Sequence, residues 1–87
     1  MNVKILVLFN GIVSIEIVRR IEKILKALLP DAIIDHVACA NSGKGDGWDS
    51  LLFRINQDYA DRAIEIIKKI EGVADATEEK IVEPKNM

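Results

Sequence analysis

Residues 41–48 read Asn-Ser-Gly-Lys-Gly-Asp-Gly-Trp, a glycine-rich stretch near the midpoint of the chain. The stretch lies between two apolar runs, residues 32–39 and 50–55, that are typical of β-strands. Glycine permits the positive φ angles that tight connections require. Two strands joined in this way most simply form an antiparallel hairpin. Because a strand and a helix lie on each outer side of this hairpin, the chain divides into two β/α halves.

The first strand is predicted over residues 3–9, where the sequence is almost continuously apolar. Successive side chains of a strand point to opposite faces, so both faces of this strand carry apolar residues. A strand that is apolar on both faces is typical of a central position in a sheet. Asn10 and Gly11 follow as turn residues and are expected to end the strand.

A helix and a second strand complete the first half. Ser14 suits the N-cap of the helix, and apolar residues recur at helical spacing as far as Leu28. Pro30 ends the helix, because the residue before a proline is pushed out of the helical region. The second strand is predicted over residues 32–39. The charge of Asp35 indicates that this strand lies at or near a sheet edge.

The second half repeats the pattern. Residues 50–55 form the predicted third strand, and Asp58 is expected to cap the second helix. Gly72 is expected to end that helix in the left-handed conformation. The last strand is predicted over residues 73–82, and residues 84–87 are predicted to form a flexible tail.

The order βαββαβ predicts an α+β fold of the ferredoxin-like sandwich type, in one domain over residues 1–83. In that arrangement two helices cover one face of a four-stranded antiparallel sheet, and the first and third strands are central. Three leucines of the central strands, Leu6, Leu8 and Leu52, then lie on the uncovered face. Such an apolar patch predicts a homo-oligomer that forms through the sheet face or through strand edges.

Composition excludes several classes of function. The chain is 49% hydrophobic and 30% charged, as in a globular domain, and its 12 basic and 14 acidic residues form no basic stripe for nucleic acid. Cys39 is the only cysteine, so no disulfide or multi-cysteine metal centre can form within one chain. No apolar run is long enough to span a bilayer. We therefore expect a soluble cytoplasmic protein without a cofactor or a bound metal.

The glycine-rich connection is one candidate binding site. Ser42, Gly43, Lys44 and Gly45 suit a backbone anion-binding nest, in which amide groups converge and a lysine adds positive charge. The stretch is not a phosphate-binding P-loop, because a strand follows where that motif requires a helix. The alternative interpretation is a flexible hairpin tip whose glycines supply positive φ angles.

A second candidate site follows the first strand. Asn10, Gly11 and Ile12 lead into a helix N-terminus, where free amide groups suit a carboxylate or phosphate. The alternative is a plain strand-to-helix turn.

The sequence favours a binding protein over an enzyme. His36 is the only histidine, so no Ser-His-Asp set exists. Strict alternation along the second strand places His36 and Cys39 on opposite faces, which argues against a nucleophile pair and against a shared metal site.

Several of these residues together resemble an ACT domain. The resemblance rests on a first strand that ends in Asn10-Gly11, on Gly-Trp-Asp-Ser-Leu-Leu-Phe at residues 47–53, and on the helix-to-strand passage at residues 63–73. It implies a stand-alone regulatory module that pairs side by side or back to back. It also implies an amino acid or other small metabolite bound at the interface, near Asn10, Gly11 and Ile12. The family often has Asp-x-Pro-Gly where this chain has Leu8-Phe9-Asn10-Gly11.

Two further interpretations share the same topology. PII-like signalling proteins place a functional loop between the second and third strands, which implies an anionic nucleotide at residues 42–45. RNA-recognition motifs need interleaved aromatic residues in the third strand, and Asp46 and Leu51 stand in their place. A structural interaction module that binds no ligand is the remaining alternative.

Overall fold

A computed structural model describes residues 1–43 and 45–79. The elements follow the predicted βαββαβ order: β1 Asn2–Val13, α1 Ile15–Leu28, β2 Asp35–Ala40, β3 Trp48–Asn56, α2 Gln57–Lys68 and β4 Val73–Glu79. The predicted tail at residues 84–87 and the predicted extension of the last strand to residue 82 lie outside the described residues.

The four strands form one antiparallel sheet in the order β2-β3-β1-β4. The predictions that β1 and β3 are central and that β2 lies at an edge are confirmed. The predicted antiparallel hairpin between β2 and β3 is also confirmed, with Cys39 opposite Leu51. The fold is therefore α+β, with a sheet held together largely by its two central strands.

The core lies between the two helices and one face of the sheet. Ile5, Leu51 and Phe53 project from the central strands and are at most 2% exposed. The helices contribute residues at helical spacing to the same cluster: Val18, Ile21 and Leu25 from α1, and Ala60, Ala63 and Ile67 from α2. Within the part of the chain that the structure describes, no helix is long and apolar enough to cross a membrane.

The predicted end of the first strand at Asn10-Gly11 is wrong. β1 continues to Val13, which pairs with Trp48 after an irregularity that begins at Leu8. Gly11 adopts φ +88°, a conformation that side chains rarely allow, and this lets the strand change register without ending. The Asn-Gly pair, which often indicates a turn, therefore lies in a bulge within the strand.

The cap of α1 is confirmed at Ser14, whose backbone is extended and whose side chain makes no capping hydrogen bond. The predicted cap of α2 at Asp58 is wrong, because Asn56 is the N-cap and its Oδ1 accepts from the Asp58 amide at 2.9 Å. The strand passes directly into the helix, so the cap lies two residues earlier. Gly72 has φ +96° as expected, but α2 ends with Lys69 as its C-cap, so Gly72 belongs to the turn before β4.

The edge strand β2 contains a second bulge. His36 has φ +52°, and the pairing shifts by one residue between Asp35 and Ala38. Asp35 consequently pairs with Arg54, and the Arg54 Nε lies 3.4 Å from the Asp35 Oδ1. The strand also starts three residues later than predicted, because residues 32–34 lie outside the ladder.

Candidate functional site

The face of the sheet opposite the helices is the uncovered face. Leu6 pairs directly with Leu52, and both are partly buried by their neighbours, whereas Leu8 is 44% exposed. Ala38 extends the Leu6–Leu52 row to the edge strand. The three leucines that the sequence placed on this face do lie there, between buried residues that point to the core.

A charged row borders these leucines. Lys4 pairs with Arg54 on one side and with Glu79 on the other, and Asp35 completes the row beyond Arg54. The two cations are thus flanked by two acids, and Arg54 is held by its ion pair with Asp35. The uncovered face therefore has an apolar centre and a charge-balanced margin.

The glycine-rich connection is held by side chains of its own. The Asn41 Nδ2 donates to the carbonyl oxygens of Gly45 and Gly47 at 2.9 and 3.0 Å, and the Asn41 Oδ1 accepts from the Gly43 amide at 2.9 Å. A single asparagine thus ties together both sides of the connection.

Asp49 fixes the start of the connection. Its Oδ2 accepts from the Ser42 amide at 3.0 Å and also from the Ser42 hydroxyl. These hydrogen bonds from Ser42, first from the hydroxyl and then from the amide, lower the pKa of the Asp49 carboxyl. Asp49 is therefore ionised at neutral pH and keeps a negative charge beside the connection.

A groove of about 470 Å³ lies at this end of the uncovered face. Its lining combines apolar and polar side chains: Leu8, Phe9, Ala40 and Ala74 with Asn41, Ser42, Asp49 and Ser50. Of the residues singled out from sequence, Leu8 and Ser42 line the groove. Gly43, Gly45 and the segment 10–12 do not, and Lys44 lies outside the described residues. The groove lies between Leu8 and Phe9 of β1 and the β2–β3 connection.

The predicted segment Asn10, Gly11 and Ile12 lies beside this groove, directly after Phe9. The Asn10 amide donates to the Gly72 carbonyl oxygen at 2.8 Å, so that amide is already engaged. Ile12 lies against Gly47, where an added Cβ would stand 2.6 Å from the Ile12 Cγ2. The two stretches that the sequence proposed as separate sites therefore meet in the structure.

Cys39 and His36 lie in different surroundings. Cys39 packs against the core, and burial, together with the negative charge of Glu22, raises the pKa of its thiol. His36 is exposed at the bulge, where strict alternation no longer applies. Among the described residues, no group of three His, Cys, Asp or Glu side chains is placed to hold a metal ion.

Sequence reasoning missed Asn41, and of the candidate pocket lining that the sequence offers at Asp46, Trp48 and Asp49, only Asp49 lines the groove. The Asn-x-Gly pattern at residues 41–43 is typical of an Asx turn and would have indicated the role of Asn41. The bond between Ser42 and Asp49 needs the hairpin register, which the sequence alone did not supply.

No protein-family model matches this chain, and no curated protein sequence matches it.

Proposed function

We propose that the protein is a small ACT-like regulatory module with a ferredoxin-like fold. It binds a small metabolite in the groove and pairs with a second copy of itself through the uncovered face. The antiparallel order β2-β3-β1-β4, with a helix after β1 and after β3, supports the ferredoxin-like assignment. The groove, which is lined by Leu8 and Phe9 of β1 just before the bulge at residues 10–12, is the observation that carries the ligand-binding role.

The shape and lining of the groove suit a small metabolite. Its volume of about 470 Å³ falls within the range of ligand sites, which are mostly apolar with a few placed polar groups. Leu8 and Phe9 supply the apolar part, and Asn41 and Ser50 supply hydrogen-bonding side chains.

Asp49 adds a charge preference. Because its carboxylate is ionised at neutral pH, a ligand that carries an ammonium group is favoured at this end. An amino acid has such a group and fits the volume.

The same contacts weigh against the PII-like alternative. An anion-binding nest needs amide groups that point at the ligand. Here the Ser42 amide donates to Asp49 and the Gly43 amide donates to Asn41, so an anion has to displace both bonds. The Asp49 carboxylate also repels an anion bound beside it.

The partner that we propose for the uncovered face is a second copy of this chain. The molecule measures 42 by 33 Å across its broad side and is 18 Å thick. A face of this breadth has room for the roughly 800 Å² per partner that a standard interface buries. The balanced charges of Lys4, Arg54, Asp35 and Glu79 allow two identical faces to meet without a net charge of one sign.

Strand edges are less suited to this pairing. The bulge at His36 interrupts the ladder of the β2 edge. The β4 edge strand carries Asp75, Glu78 and Glu79, so a second β4 beside it brings like charges together.

The proposal describes a cytoplasmic binding protein without a cofactor, and not an enzyme. Support comes from Cys39, because burial raises the pKa of its thiol and so disfavours the reactive thiolate.

A thermal-shift screen tests the ligand. Purified protein is heated with each amino acid, with common nucleotides and with divalent metals. A ligand present at a hundred times its dissociation constant adds about 2.7 kcal/mol to the stability of a native state that alone binds it. We expect an amino acid to raise the Tm of the wild type but not of Asp49→Asn. Asp61→Asn is the control, because Asp61 is exposed on α2, and its Tm should rise as in the wild type. A shift with nucleotides alone contradicts the amino-acid assignment.

Sedimentation equilibrium tests the partner. We expect a dimer for the wild type, and a monomer for Leu8→Lys, which places a charge on the uncovered face. Leu28→Lys is the matched control, because Leu28 is 55% exposed on the helix side. A monomeric wild type at all concentrations, or dissociation by Leu28→Lys alone, contradicts the proposed face.

A further inference from the structure

The segment that follows Phe9 contains a chemically reactive dipeptide. Asn10 is followed by Gly11, and both residues are exposed. The amide nitrogen of a residue can attack the side-chain carbonyl of a preceding asparagine and close a five-membered imide. Glycine makes this closure easiest, because it has no side chain to obstruct the ring and the widest backbone freedom.

The surroundings of Gly11 are irregular and open. Residues 10–12 lie in the irregular part of β1, between the pairs that Leu8 and Val13 make with β3. Gly11 has φ +88°, and a Cβ placed on it would meet no atom within 4 Å. The strand is thus irregular on its β3 side and open at Gly11, while on its β4 side the Asn10 amide donates to the Gly72 carbonyl oxygen at 2.8 Å.

Asn41 lies in the opposite situation. Its Nδ2 and Oδ1 are both hydrogen-bonded within the connection. The nitrogen that would attack it belongs to Ser42, and this nitrogen donates to Asp49 at 3.0 Å. Both reacting groups are therefore restrained by other hydrogen bonds.

Asn56 is restrained in the same way. Its Oδ1 caps α2 by accepting from the Asp58 amide. The nitrogen that follows it belongs to Gln57 and donates to the Met1 carbonyl oxygen at 2.9 Å. The fold therefore supplies two protected asparagines against which Asn10 can be compared.

We propose that Asn10 is a site of spontaneous deamidation in the folded protein. The Gly11 nitrogen forms a bond to the Asn10 Cγ, the bond from Cγ to the side-chain nitrogen breaks, and ammonia leaves with the proton that Gly11 loses. Water then opens the imide at either carbonyl and yields aspartate or isoaspartate at position 10. The inference depends on Asn10 and Gly11 alone and not on the proposed ligand.

The product changes the end of the groove. Either product places a carboxylate directly after Phe9, a groove-lining residue. Isoaspartate also adds a methylene to the main chain between positions 10 and 11, which shifts the register by which Val13 meets Trp48. Because Trp48 is the only tryptophan, its fluorescence reports this change.

Peptide mapping of the full native chain tests the proposal. Protein is aged in mildly alkaline buffer and digested with trypsin beside a sample that was not aged. Asn10, Asn41 and Asn56 then fall in separate peptides, residues 5–19, 27–44 and 55–62. We expect conversion of amide to acid in the first peptide, severalfold above the other two, and a shift of Trp48 emission that grows with the isoaspartate fraction.

Two variants serve as controls. Asn10→Gln keeps the amide but needs a larger ring, and it should remain unconverted. Asn10→Asp carries the charge of the aspartate product from the start. It should fold, and it should release no ammonia at position 10 because it has no side-chain amide. The proposal is overturned if the native chain converts no more in the first peptide than in the other two, while the same chain in urea converts readily at Asn10. That result would show that the fold protects this residue.

Discussion

The two faces of the sheet use the same strands and similar residues, yet their surroundings differ completely. On the covered face, Phe53 is 2% exposed beneath the helices. On the uncovered face, its neighbour Leu52 is only partly buried, and Leu8 is 44% exposed. Burial of apolar area contributes about 25 cal/mol per Å². The exposed area of the uncovered leucines therefore adds no stability to the monomer, and it would do so only if a partner buried it. The difference indicates that the sheet carries more apolar surface than its own helices can cover.

The largest expected effect compares neighbouring residues on the two faces. Phe53→Ala should lower the free energy of unfolding by about 3–5 kcal/mol, because it leaves a cavity in the core. Leu52→Ala should lower it by less than about 1.5 kcal/mol in a monomer, since solvent fills the space. Urea denaturation measures both values, and Phe53→Leu gives a milder core variant if the alanine variant does not fold.

Protein concentration sharpens this result. If the uncovered face is covered by a second copy, the loss at Leu52 should grow with protein concentration while the loss at Phe53 stays constant. Equal losses at the two positions in a dilute monomer would contradict the distinction between the faces.

A smaller effect is expected where the two ends of the central strands meet. A Cβ added at Gly47 would lie 2.6 Å from the Val13 carbonyl oxygen, at φ +127°. Gly47→Ala should therefore cost about 1–3 kcal/mol, as for other strained backbone positions. Gly43→Ala is the control, because its nearest atom is 3.8 Å away and its φ needs no glycine. Thermal unfolding of both variants measures the difference. Similar Tm values for the two variants would contradict the prediction and would show that the Val13–Trp48 pairing tolerates displacement.

The charged row on the uncovered face should contribute less. Asp35→Ala removes the partner of Arg54, whose Nε lies 3.4 Å away in a partly exposed pair. Such pairs contribute about 0.2–1 kcal/mol and weaken as salt rises. Urea titrations at low and high salt measure the loss, and a loss that salt does not reduce would contradict a simple ion pair.

The smallest expected effect is a dependence of stability on pH at the polar end of the groove. The folded-state pKa of Asp49 lies below its unfolded value, because Ser42 donates to its carboxylate. Its contribution is therefore present above the unfolded pKa of about 3.9 and is lost as pH falls through the folded pKa. Tm measured across this acidic window should fall less steeply in Asp49→Asn than in Asp61→Asn, and equal slopes would show that the bonds to Ser42 add no stability.

Local patterns predicted most of the fold. Apolar periodicity predicted the order of the elements. The apolar residues on both faces of strand 3–9 predicted that β1 is central, and the charge of Asp35 predicted that β2 is an edge strand. These features depend on neighbouring residues in the sequence, which is why they can be read from it. The uncovered leucines followed from the same alternation.

The errors occurred where distant segments decide the local conformation. Asn10-Gly11 ended the predicted strand, but pairing of Val13 with Trp48 continues it through a bulge. Alternation failed at His36 for the same reason. At the groove, sequence indicated Leu8 and Ser42, while Asp49 joined them only through the hairpin register.

The strand order has a consequence for synthesis of the chain. β1 is made first, but its two neighbours are β3 and β4, and β4 is made last. Until Val73 and the residues after it leave the ribosome, one side of β1 has no partner strand. Contacts between such distant segments fold slowly. We therefore expect the nascent sheet to remain incomplete until β4 has left the ribosome, with the β2–β3 hairpin as the first part able to form.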